Sequence, residues 1–179
     1  MKWNIDTTHS AIEFGVRHLG ISTVKGRFQQ FEGTVETDER GAPVAVDVTI
    51  QAASIDTGVA DRDDHLRSPD FFDVAANPLI TFRSSAVRPV SGDEVEITGD
   101  LAMHGQTRRF SFRAEFGGAI TDPWGGRRAA GQATGKLNRK DWGLGWNQLL
   151  EAGSLLVGED VKFTLEIEAL GAQAPAAAA

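Results

Sequence analysis

Residues 110–116 read F-S-F-R-A-E-F, and residues 161–169 read V-K-F-T-L-E-I-E-A. Apolar and polar side chains alternate through both stretches without a break. A period of two places one row of side chains on each face of an extended chain, so each stretch is a strand with one apolar face and one wet face. The same alternation recurs elsewhere. Val95, Ile97 and Leu101 alternate with Glu94, Glu96, Thr98 and Asp100. Val44, Val46, Val48 and Ile50 oppose Asp47, Thr49 and Gln51, and Ile12, Phe14 and Val16 oppose Glu13 and Arg17. Ile80 and Phe82 continue the apolar row on a further strand.

The segments between these runs carry turn chemistry: HLGIST at 18–23, DERGAP at 38–43, PVSGD at 89–93, HGQ at 104–106 and DPWGG at 122–126. In the last, Asp122, Pro123 and Gly125 take the first, second and fourth positions of a type I turn. Eight strands follow, at 10–17, 23–37, 43–53, 78–88, 94–103, 107–120, 127–138 and 157–169, with a short one at 2–6. Short loops make neighbours antiparallel and sequential. An open sheet of this size would expose two edges, and closure removes them. The sequence therefore predicts an all-β chain, an eight-stranded antiparallel up-and-down barrel with two short helical insertions. Gly26 and Gly33 are expected to be bend points in the long second strand.

The insertions fall at 57–77 and 139–156. In the first, Asp61 is expected to cap one short helix, and Ser68 followed by Pro69 to start another. In the second, Asn147 is expected to cap a helix Q-L-L-E-A that stops at Gly153.

The chain has 179 residues, enough for one domain with a sizeable core, and it is expected to form one barrel over 1–170 with an Ala-rich tail at 171–179. Its net charge of -7 argues against a nucleic-acid partner, which needs a basic surface. The absence of cysteine excludes disulfides and thiolate chemistry. The N-terminal MKWNIDTTHS lacks the apolar core of a secretion signal, so the expected location is the cytoplasm. Ten Phe and four Trp with no Tyr would line a barrel with hydrocarbon and few polar anchors, which suits a long apolar chain. Side chains filling the core solidly account for the same composition equally well.

An ordered set of motifs resembles the YceI-like family of polyisoprenoid-binding proteins. The set comprises W-N-I-D-T-T-H-S-A-I-E-F at 3–14, V-K-G-R-F at 24–28, I-D-T-G at 55–58, R-D-D-H-L-R-S-P-D-F-F-D at 62–73, N-P-L-I-T-F at 77–82, G-D-L-A-M-H-G-Q-T at 99–107, N-R-K-D-W-G-L-G-W-N at 138–147 and V-G-E-D-V at 157–161. The resemblance implies a lipocalin-like barrel around a hydrophobic tunnel with an isoprenoid lipid as partner; no cofactor is assigned. It also implies dimers for many members. Transient contact with a membrane would follow from such a cargo.

On this reading Phe14, Val16, Phe28, Phe82, Ile97, Phe110, Phe112 and Phe163 line the tunnel, and Trp142 and Trp146 form a lining or lid. The alternative for the tryptophans is a plug that meets no ligand. Arg62, His65, Arg67 and Arg139, with Lys140 beside the last, are candidates for an anionic head group, since guanidinium forks match phosphate oxygens. The rival reading is an enzyme that uses Arg62, Asp63 and His65 at the barrel mouth. His9, His18, His65 and His104 lack the spacing of a helical metal site, so no metal is assigned.

Overall fold

The computed structural model describes residues 1–149 and 155–171. Eleven strands are present among them: β1 (Lys2–Ile5), β2 (Ala11–His18), β3 (Ser22–Phe28), β4 (Phe31–Thr37), β5 (Pro43–Gln51), β6 (Ile55–Asp56), β7 (Leu79–Ser91), β8 (Glu94–Met103), β9 (Gln106–Thr121), β10 (Arg127–Asn138) and β11 (Val157–Gly171). One α-helix, α1 (Ala60–Arg67), and two 3-10 turns, Ala52–Ser54 and Arg139–Trp142, interrupt them.

The strands close into eight antiparallel staves in chain order. β1 and β2 lie end to end along β11, with Trp3 opposite Gly171 and Ile12 opposite Leu165. β3 and β4 form the next stave, then β5, β7, β8, β9, β10 and β11. The expected second strand, 23–37, is split at Gln29–Gln30. Its halves also pair with different strands on the far side: Phe28 opposes Ile55 of β6, whereas Phe31 opposes Ile50 of β5. That divergence opens the wall, and the segment from Ile55 to Asn77, with α1, fills the opening.

Both glycines expected to bend the second strand serve close packing instead. A Cβ on Gly26 would lie 2.4 Å from the Phe14 ring, and one on Gly33 would lie 2.5 Å from the carbonyl oxygen of Asp47. Extended glycine here admits a neighbouring ring or strand that any side chain would displace.

The helical insertions also differ from expectation. α1 begins after Val59, which offers no side-chain cap, and Asp61 lies in the first turn, where its charge complements the helix dipole. Ser68 ends α1 and starts no second helix: its amide and hydroxyl both donate to the carbonyl of His65. The extended backbone of Ser68, which Pro69 requires of the residue before it, explains the stop. In the second insertion the ordered turn is Arg139–Trp142, capped by the Asn138 side chain accepting from the Lys140 amide. Asn147 instead ties the loop to β11, its Oδ1 accepting from the Val157 amide and its Nδ2 donating to the Val157 carbonyl. Most of the expected Q-L-L-E-A helix, and the tail beyond Gly171, lie outside the described residues. The DPWGG turn forms as expected, with the Gly125 amide donating to Asp122 O and the Asp122 carboxylate accepting from the amides of Trp124 and Gly126.

Candidate functional site

Opposed residues on neighbouring strands point to the same face, so the register fixes the inner row of every stave. β8 turns Val95, Ile97, Leu101 and Met103 inward. Across β9, Ala114 and Phe112 lie opposite Val95 and Ile97. β10 continues with Gly131 opposite Phe116 and Ala133 opposite Ala114. On its other side Ala129, Gly131, Ala133 and Gly135 meet Ala169, Ile167, Leu165 and Phe163 of β11. One stave therefore presents four of the smallest side chains in succession to the interior.

The result is a cavity of about 470 Å³, within the range of roughly 300–1,000 Å³ typical of small-molecule sites. Its wall is mainly hydrocarbon from all eight staves. A void lined this way stays dry, because water entering it would find too few polar partners.

Phe14, Val16, Phe28, Phe82, Ile97, Phe110, Phe112 and Phe163 all border this cavity. Their rings pack as a network: Phe110, Phe112 and Phe163 sit about 6 Å apart, and Phe14 lies 5.7 Å from Phe28. Gly135 permits this, since a Cβ there would fall 2.5 Å from the Phe163 ring.

The two tryptophans of the 140–147 loop part company. Trp142 is 3% exposed and does not border the cavity. Its indole N–H donates to Leu101 O at 2.9 Å, and its ring meets the Phe110 ring edge-on. β9 and β10 stop pairing beyond Ala114 and Ala133, and the turn that carries Trp142 stands beside the splayed ends. His104 Nδ1, 3.1 Å from Trp142 O, and the Arg108 guanidinium on Asp141 O tie that turn to the β8–β9 hairpin. Trp142 is thus a plug in the wall. Trp146 borders the cavity, half-buried, with its ring against His65 at 4.7 Å and Phe71 at 5.2 Å. This triad of rings joins α1 to the loop before β11 and forms one side of the cavity's mouth.

At the other end of the barrel stands Trp3, which sequence reasoning did not select. It is 1% exposed, packs with Val35, Phe116, Ala129 and Ala169, and donates to Thr37 Oγ1 at 3.0 Å. Only its place in an alternating strand could have suggested it. The Ala-Gly row of β10 was also missed, although A-A-G-Q-A-T-G at 129–135 carries it openly.

The polar candidates are scattered by the fold. Arg62 and His65 border the mouth. Arg62 is held by Thr57, donating to its hydroxyl at 2.7 Å and its carbonyl at 2.9 Å, and His65 Nε2 lies 2.9 Å from Asp70. Arg67 faces elsewhere, donating to the carbonyls of Ala53 and Ile55 and pairing with Asp64. Arg139 is 3% exposed and borders the cavity, but its guanidinium donates to the carbonyls of Gly158, Leu144 and Val157. Burial lowers its pKa from the usual arginine value. Three of its five N–H donors clamp the loop to β11. Lys140 pairs with Glu159 at 2.8 Å, which holds that carboxyl below its usual pKa. Asp63 is buried and accepts from the Thr57 amide and hydroxyl, so it does not converge with Arg62 and His65 on the cavity.

Among the described residues, Asp6, His9 and Glu168 bring three ligand-type atoms together. Arg128 already supplies the cation there, donating to Asp6 and Glu168 and also to Asp122. The cluster fastens the β1–β2 corner and the β9–β10 turn to β11.

A closed up-and-down antiparallel barrel around an apolar hollow is lipocalin-like in architecture. The chain belongs to the YceI-like family: residues 3–169 match the YceI-like domain. It is 44% identical to Protein YceI of Escherichia coli O157:H7 over 137 residues, 76% of this chain and 71% of that one. It is 37% identical to the UPF0312 protein of Staphylococcus epidermidis over 169 residues, 93% and 96% of the two chains. Among solved structures it resembles the YCEI protein of Campylobacter jejuni, at 28% identity and TM-score 0.76 over 88% of this chain and 90% of that one. BcnA of Burkholderia cenocepacia shares the fold at 20% identity and TM-score 0.79, over 92% and 98%. A polyisoprenoid binding domain from Saccharophagus degradans shares it at 18% and 0.73, over 94% and 98%.

Proposed function

We propose that the protein binds a long isoprenoid chain, polyprenyl or quinone-like, in the barrel cavity and sequesters or carries it. The observation that carries this reading is the apolar hollow of about 470 Å³ in a barrel whose inner row includes Ala129, Gly131, Ala133 and Gly135. The Saccharophagus degradans relative, described as a polyisoprenoid binding domain, supports it through the shared fold. Arg62 and His65 are the groups that would meet an anionic or polar head at the mouth.

The energetics suit a carrier. Burial from water is worth about 0.8 kcal/mol per CH2. For a long chain that sum would exceed the ceiling of roughly 20 kcal/mol for non-covalent affinity. Such a chain starts from a membrane, however, and transfer between two hydrocarbon phases is nearly neutral. Fit and head-group contacts then decide uptake and release. The test is organic extraction of the purified protein followed by lipid mass spectrometry, with an isoprenoid expected in the extract. An empty extract, from protein that also fails to take up added polyprenol, would sink the reading.

A further inference from the structure

At the barrel end that carries the β2–β3 hairpin, His18, Trp146, Leu156 and Val157 are among the residues that line the cavity. Just outside it the β2–β3 hairpin and the loop before β11 meet, where the Leu19 amide donates to Leu156 O and Leu149 bridges Leu155. These two tips leave Leu19, Ile21, Leu149 and Leu155 exposed, Ile21 at 79% and Leu149 at 71%. Four large aliphatic side chains exposed side by side at one end of the barrel make a cluster that ordinary surface scatter does not explain.

The strand register adds a second feature. Lys25 of β3, Gly15 of β2, Lys162 of β11 and Lys136 of β10 lie on one transverse row. The two lysines that flank Gly15 are exposed and form no ion pair among the described residues, whereas Lys136 pairs with Asp160. With Arg17 one step nearer the mouth, three cations that form no ion pair among the described residues stand on three adjacent staves, β3, β2 and β11, of a chain whose net charge is -7. Gly15 is four residues from Leu19, about 13 Å along a strand at ~3.3 Å per residue. A lysine side chain leaning along the strand covers part of that distance.

We infer that this end of the barrel docks on a phospholipid bilayer, with Leu19, Ile21, Leu149 and Leu155 immersed in the interface and Lys25, Lys162 and Arg17 meeting the lipid phosphates. Apolar groups ahead of a cationic band form the arrangement that an interfacial anchor requires. Charge complementarity favours an anionic surface over a protein. Docked this way, the mouth opens directly onto the hydrocarbon, so an apolar cargo need never cross water. The inference rests on the cargo reading for its purpose but not for its test.

The test is sedimentation of the full chain with vesicles of phosphatidylglycerol alone and of phosphatidylcholine alone. The protein is expected to sediment with the first and more weakly with the second. Ile21→Asp is expected to lower binding to both by about 10-fold or more, from the lost burial of one large aliphatic group. The double change Lys25→Gln and Lys162→Gln is expected to weaken binding to phosphatidylglycerol on the order of 30-fold, about five-fold per lysine. All three sites are exposed, so unchanged circular dichroism is expected to show intact folding. Wild-type protein that stays in solution with both vesicles overturns the inference. So does a fall in dimer content by analytical ultracentrifugation in Ile21→Asp, because a second copy would then cover the tips. Lipid content of the purified protein is read in parallel. Bound cargo without vesicle binding sinks the docking surface alone, and vesicle binding without cargo sinks only the carrier reading.

Discussion

Ala133→Leu separates a hollow barrel from a filled one by the sign of its effect. Ala133 is buried on β10, between Ala114 of β9 and Leu165 of β11, and borders the cavity. Leucine adds three carbons directed at the void. At about 0.8 kcal/mol per buried CH2 the gain is about 2 kcal/mol, less about 0.5–1 kcal/mol for ordering the new side chain. Ligand-free protein should therefore gain about 1–2 kcal/mol, a rise in Tm of about 3–6 °C for a chain of this length. The same change in a filled core would cost about 1–3 kcal/mol from overpacking. The assay is thermal and urea unfolding of delipidated wild type and variant, because bound ligand would add its own stabilisation to whichever protein retained it. Lipid recovered from undelipidated variant should fall as its Tm rises. A loss of more than 1 kcal/mol with cargo retained in full would refute the reasoning.

Further outcomes follow from the tryptophan loop and the ionic cluster. Trp142→Ala should destabilise the fold by about 3–5 kcal/mol, because it empties a sealed site and strands Leu101 O. Trp146→Ala should lower lipid retention more than stability, and equal loss of both would make it a second plug. Acid should weaken the corner around Arg128. The Asp122 carboxyl is held below its usual pKa by the Arg128 hydrogen bond and then by the Gly126 amide. Asp6 is lowered chiefly by the Thr8 hydroxyl and His9. Both folded pKa values lie below the unfolded value near 4, so their contribution is complete above about pH 5 and is lost as pH falls through that window. Asp122→Asn should therefore be less stable than wild type at pH 7, with the gap closing toward pH 3 in urea titrations.

The strands were legible because side-chain direction along an extended chain is a local property. The period of two in 110–116 and 161–169 names the inward row before any partner is known, and Phe110, Phe112 and Phe163 duly share one interior. Turn chemistry at 122–126 is equally local, since one Asp122 carboxylate oxygen accepts from the amides of Trp124 and Gly126 inside the turn. Ser68 misled because Ser-Pro suits a helix start and a helix stop alike, and α1 upstream decided between them.

What the sequence determined by itself was the main strands, their order and the apolar face of each, but neither the division of 23–37 into β3 and β4 nor the short β6. Tertiary structure alone decided that the interior is hollow, because volume is a difference summed over eight staves and no single stave carries it. It also decided that Trp142 is a plug while Trp146, four residues away, reaches the cavity. Likewise it gave Arg139 to three backbone carbonyls and left Arg62 at the mouth. A residue's type fixes what it can bond, but only the closed sheet determines which partner is within reach.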